Sequence, residues 1–139
     1  MRILALVVLL ASLSFAPPAF SQSEADGVAI RSAIETQLGA FNRDDSGVAY
    51  GLAAPNVQAI FPTPEIFMQM VELGYAPIHR STGHIFGGLE EIGGSLTQRV
   101  FITDAAGEGW LALYTVAKQS DGSWKITGCS LARRPGESV

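Results

Sequence analysis

The run Gly109-Trp110-Leu111-Ala112-Leu113-Tyr114-Thr115-Val116 constrains the fold more than any other stretch. It is followed by Ser120-Asp121-Gly122-Ser123 and then Trp124-Lys125-Ile126-Thr127-Gly128-Cys129. Asp-Gly between two β-prone runs is a hairpin turn, because the glycine accepts the positive φ that such a turn demands. An isolated two-stranded hairpin is marginal in water, so further strands or a helical layer must cover its apolar face.

The preceding residues supply both. From Tyr75 onward the apolar period shifts toward two. Tyr75 to Arg80 leads into a first strand, Thr82 to Leu89 is a second segment, and Gly93-Gly94 turns the chain. Ser95 to Asp104 is a long strand with Leu96, Val100 and Ile102 on one face and Arg99 and Phe101 on the other. Residues 105–109 turn the chain again, and the hairpin follows as Trp110 to Gln119 and Ser123 to Leu131.

Before Tyr75 the pattern is helical. Ser23 with Asp26 three residues on forms a capping box with Asp in the usual Glu position. Val28, Ile30, Ile34, Leu38 and Phe41 then share one broad face. Residues 42–45 turn the chain, and Asp45 caps a helix from Ser46 to about Ala53 that Pro55 ends. A short helical turn around Asn56 to Ile60 follows. Thr63-Pro64-Glu65 starts a third helix, which Gly74 stops. Helices followed by an antiparallel meander give an α+β fold: N-terminal helices packed on a curved four- to five-stranded antiparallel sheet.

The chain of 139 residues has room for one such domain, expected over residues 22–132 with a flexible polar tail over 133–139. Residues 1–21 read as a secretory signal peptide. Arg2 is its positive end, Ile3 to Leu13 its apolar stretch, and Ala19-Phe20-Ser21 its cleavage site, which puts the mature start at Gln22. The apolar stretch is about half the ~20 residues a spanning helix needs, so no stable membrane anchor is expected after cleavage. The address is exported, periplasmic or secreted.

The formal net charge is −4, and cleavage removes Arg2. Arg133-Arg134 is the one basic pair, so nucleic acid is not an expected partner. Cys129 is the single cysteine, which leaves no internal disulfide. It reads as a small buried hydrophobe in the last strand, with an intermolecular disulfide or a reactive thiol as the alternatives.

Chemistry-bearing residues are few. His79 and His84 lack metal-pair spacing, and no pattern links them to Asp44, Asp45 or Cys129, so no metal and no cofactor is expected. There is no nucleophile elbow, and the Gly-Gly pairs do not open helices as phosphate loops do. No catalytic residue is assigned. Tyr75, His84, Arg99 and Tyr114 are the candidate ligand-binding set. Arg99 either lines a pocket or sits on a solvated face with Thr97 and Thr103, and Phe101 beside it suggests a partner surface or cavity wall.

Several stretches together resemble the bacterial family known as domain of unknown function 4864. They are Ile34-Glu35-x-Gln37-Leu38-x-Ala40-Phe41-x-x-Asp44-Asp45, Phe61-x-Thr63-Pro64-Glu65-x-Phe67-Met68-x-Met70-Val71, Gly74-Tyr75-x-Pro77 and Asp121-Gly122-Ser123-Trp124-Lys125-Ile126-x-Gly128-Cys129. The resemblance runs from about Ala29 to Leu131. Through the nuclear transport factor 2-like, or cystatin-like, superfamily it implies a cone: a helical hairpin in the hollow of a curved sheet. It implies no catalytic residue, and that fold serves many activities.

The leading expectation is therefore a non-enzymatic module holding a small apolar ligand or a protein partner. One alternative is an isomerase- or dehydratase-like enzyme using His84, Tyr114 and Asp44 or Asp45. Another is a homodimer pairing through a sheet face around Arg99, Phe101 and Trp110.

Overall fold

Ser23 opens the first helix of the computed structural model, which describes residues 23–134. The expected signal peptide over residues 1–21 and most of the expected polar tail lie outside the described residues. The Ser23 hydroxyl accepts the Asp26 N–H at 3.0 Å. The Asp26 carboxylate meets the closing hairpin, accepting from the Trp124 indole at 3.4 Å and from Lys118 at 3.5 Å. The cap thus clips the start of the chain to its last two strands.

Helix α1 (Glu24–Asn42) buries Ile30, Ile34, Leu38 and Phe41 as their spacing predicts, while Val28, expected on the same face, is 55 % exposed in the first turn. Asp45 caps α2 (Ser46–Gly51), its side chain accepting the Val48 N–H at 3.2 Å. This helix stops short of Ala53. The reason is β4: the Ala54 N–H donates to the Ile126 carbonyl at 2.8 Å and the Ile126 N–H to the Leu52 carbonyl at 2.9 Å, which holds the chain extended there. Pro55 starts α3 (Pro55–Ile60), sitting where a missing N–H costs nothing. Thr63 and Pro64 open α4 (Pro64–Gly74) as expected.

Tyr75 to Arg80 is not a lead-in strand. Ala76–His79 forms a helical turn, α5, with Pro77 in its first turn. Tertiary contacts fix it: the Arg80 guanidinium donates to the Phe41 carbonyl at 2.6 Å and to Asp44 at 2.7 Å.

The described residues hold four strands in meander order: β1 (Gly83–Ile92), β2 (Ser95–Thr103), β3 (Gly109–Lys118) and β4 (Trp124–Arg133). All neighbours are antiparallel. Gly93 and Gly94, at φ of 58° and 82°, make the two-residue turn between β1 and β2. The register slips between Phe86 and Leu89 on β1 and between Thr115 and Val116 on β3. Such bulges bend and twist a sheet, and this one is curved and unclosed. β4 reaches Arg133, two residues beyond the expected end, because Arg133 pairs with Trp110.

The helices pack on one face of this sheet. Val100, Ile102, Ala112, Tyr114, Val116 and Ile126 meet Ile30, Ile34, Leu38, Phe67 and Val71 in one core. The fold is α+β, with two layers and a seam between them.

Candidate functional site

Between the layers lies a cavity of about 230 Å³. Four elements of the helical layer wall it: Phe41 from α1, Val57 and Ile60 from α3, Phe67 and Met70 from α4, and Ile78 from α5. The sheet side is Tyr114 on β3 with Ile126 to Cys129 on β4. The Phe67 ring organises the helical wall, with ring centres at 6.1 Å from Phe41, 5.7 Å from Tyr50 and 6.2 Å from Phe61. Tyr50 pins the α3 end by donating to the Phe61 carbonyl at 2.6 Å. No charged side chain lines the space.

The polar groups of the wall are few, and nearly all have partners. Gln37 donates to the Ala49 carbonyl at 3.0 Å and Tyr75 to the Cys129 carbonyl at 3.1 Å. The Thr127 hydroxyl donates to that of Thr115 at 2.8 Å. The Cys129 thiol has a long contact to the Ser130 carbonyl at 3.9 Å. Tyr114 differs. It is 1 % exposed, and its hydroxyl, closed off from solvent, meets the Cys129 side chain without full hydrogen-bond geometry. Burial, and then the neighbouring Cys129, holds the Tyr114 phenol well above its ordinary 10.0. Burial pushes the Cys129 thiol up to about 12, against a smaller opposing pull from Tyr114. Both groups therefore stand neutral at physiological pH: a weak donor pair, without a base or a thiolate.

Two of the four residues predicted from sequence, Tyr75 and Tyr114, line this cavity; His84 and Arg99 do not. His84 pairs in register with Ile102 near the sheet edge, and its Nε2 lies 3.3 Å from Glu35 on α1. Arg99 is in the odd phase of β2, which faces away from the helices, and donates to Glu90 at 2.6 Å. The expected dimer surface also divides. Phe101 shares the outer face with Arg99 and with Ile85, which is 71 % exposed. Trp110 pairs with Ile102, so it sits on the inner face, where its indole donates to Asp104 at 2.9 Å. The sequence reading put Trp110 with the wrong face because its phase depends on the β2–β3 register.

Nor does the acid–base set of the enzyme alternative assemble. Asp44, at φ 55°, instead joins His79 at 3.0 Å and Arg80 at 2.7 Å, and Glu72 comes within 3.6 Å of His79. Hydrogen bonds from Arg80 first and His79 second hold the Asp44 carboxyl below its ordinary 3.8. Ligand atoms of Asp44, Glu72 and His79 lie within 4.8 Å of one another. The Arg80 guanidinium already takes one Asp44 oxygen, so this cluster reads as an ion-pair clasp joining the α1–α2 turn to α5.

Sequence reasoning missed Gln37, Val57, Phe67 and Cys129 as wall residues. Gln37 carried a readable signal: an amide three residues after Ile34 and four before Phe41 lies on the buried helical face. The others belong to apolar runs that look the same whether they fill a core or wall a cavity.

A two-layer α+β domain with an uncharged cavity at the helix–sheet seam is the class these observations define. Residues 23–139 match the family described as "Domain of unknown function (DUF4864)", and the chain belongs to it. No curated protein and no solved structure matches the chain.

Proposed function

We propose that this is an exported, non-enzymatic binding protein that holds a small neutral apolar molecule between its helices and its sheet. The observation that carries the reading is the cavity of about 230 Å³ without a charged wall residue. A dry apolar cavity of about 150 Å³ is enough to take benzene, so this one suits a single substituted ring. An anion would find no cation there, and burying it unpaired is costly. Helices seated on the inner face of a curved four-stranded meander also support placing the fold in the nuclear transport factor 2-like cone class.

Ethylbenzene titrated into the protein is the direct probe, followed by calorimetry. Saturable one-to-one binding is expected. Val57 is half-buried on the helical wall, so Val57→Trp fills the space and weakens binding by more than about tenfold. Equal binding by both proteins would locate the probe elsewhere and defeat the reading. Export rests on residues 1–21 and has its own check: the mature protein is expected to begin at Gln22, and a retained Met1 would remove it.

A further inference from the structure

We infer that the cavity opens to water at one end only, and that its ligand is a molecule with a single polar end: an apolar ring or short chain seated inside, with one neutral polar group left in solvent at the mouth. This rests on the cavity being a ligand site and adds the ligand's class and orientation. Exposure divides the wall in two. Phe41, Ala53, Val71, Ile78, Tyr114 and Ile126 are each at most 5 % exposed and form a closed floor. Val57 and Ile60 on α3, Met70 on α4, and Thr127 and Gly128 on β4 are half-buried or exposed and form a rim. Ile60 is 70 % exposed while still walling the space, so the boundary with water runs along its side chain. Helix α3 itself has no buried residue, and the Asn56 amide ties it to β4 by donating to the Thr127 carbonyl at 3.0 Å. The mouth therefore lies where α3, α4 and the middle of β4 meet.

The two ends offer different chemistry. At the floor, the Gln37 amide is committed to the Ala49 carbonyl at 3.0 Å, and the Tyr114 hydroxyl is closed off beside the Cys129 side chain. A polar group pushed against this floor would lose its water and gain no partner, which weakens binding. At the mouth the same group keeps its water before and after binding. It then adds little to affinity and sets direction instead. A hydrocarbon body is favoured inside in proportion to the apolar surface it removes from water. A second polar group at the far end of the body would have to enter the floor, so molecules polar at both ends are rejected. The class that results is a substituted ring or short chain with one hydroxyl, carbonyl or similar group at one end.

The test uses three probes built on one ring and measured on the wild-type protein: ethylbenzene with no polar end, 2-phenylethanol with one, and 4-(2-hydroxyethyl)phenol with one at each end. Ethylbenzene and 2-phenylethanol are expected to bind within about tenfold of each other, because the hydroxyl stays in water. The doubly polar probe is expected to bind more than about tenfold more weakly than 2-phenylethanol. A loss of tenfold or more from ethylbenzene to 2-phenylethanol would mean a closed cavity without a mouth and overturn the inference. A doubly polar probe within tenfold of 2-phenylethanol would mean a groove open at both ends and overturn it equally. If none of the three binds, the cavity reading itself fails and takes this inference with it; if ethylbenzene alone binds, only the inference falls. Orientation has its own readout in intermolecular nuclear Overhauser effects on bound 2-phenylethanol. Its ring protons are expected to reach Val71 and Ile78, and its carbinol protons to reach Ile60 and Met70. The reverse pattern would overturn the assignment of floor and mouth.

Discussion

Cys129, half-buried in the folded protein, is expected to react with iodoacetamide more than about tenfold more slowly than in the urea-unfolded chain near pH ~8. The attacking species is the thiolate. Burial in the cavity wall moves the thiol from an ordinary 9.0 up to about 12, which depletes that species about tenfold per unit. The same displacement makes stability fall in alkali. Between 9.0 and about 12 the unfolded chain has released this proton and the folded chain has kept it. The contribution is therefore complete below 9.0 and is lost as pH rises toward 12, at no more than about 1.4 kcal/mol per pH unit. The Tyr114 phenol, raised in the same direction, extends the loss. Urea unfolding over a pH series should show this slope in wild type and a shallower one in Cys129→Ala. Labelling within tenfold of the unfolded rate would place the thiol in water and contradict its place in the wall.

Phe67→Ala is expected to destabilise the protein by about 3 kcal/mol. The ring is 5 % exposed and touches Phe41, Tyr50 and Phe61, so it joins α1, α2 and the end of α3 to α4. Its cavity-facing side already lacks neighbours, which keeps the expected loss at the lower end for a buried Phe. The control on the same helix is Leu73→Ala. Leu73 is 89 % exposed, so its loss should stay within about 0.5 kcal/mol. Urea midpoints at unchanged slope measure both. Against a typical total of about 5–15 kcal/mol, the first variant should be visibly weakened. A Phe67→Ala cost near that of Leu73→Ala would mean the helical layer is not packed as described.

Local chemistry made much of the fold legible. Ser23, Asp45 and Thr63 each cap the helix assigned to them, because a side-chain oxygen three residues ahead of an orphan N–H is a short-range device. Gly93-Gly94 and Asp121-Gly122 mark the hairpin turns for the same reason. Failures began where distant residues decide. The helix ending before Ala53 depends on Ile126, and the α5 turn is held by Arg80 reaching back to Phe41 and Asp44. The face of Trp110 depends on pairing with Ile102.

The site was less legible than the fold. Tyr75 and Tyr114 could be named because an aromatic with a polar tip inside an apolar run is conspicuous. His84 and Arg99 were named on residue type alone, and strand phase and the sheet edge took them elsewhere. The cavity joins Gln37 to Cys129 across most of the domain, and no sequence period reports a space between two packed layers.

The central claim is that this space, rather than the outer sheet face, receives a small molecule. The most direct measurement is a nitrogen-15 amide titration of the full domain with acetophenone. Saturable shifts are predicted at Gln37, Val57, Thr127 and Gly128, with Ile85, Arg99 and Phe101 unmoved. Shifts confined to Ile85, Arg99 and Phe101, or no shifts at saturating probe, would contradict the account.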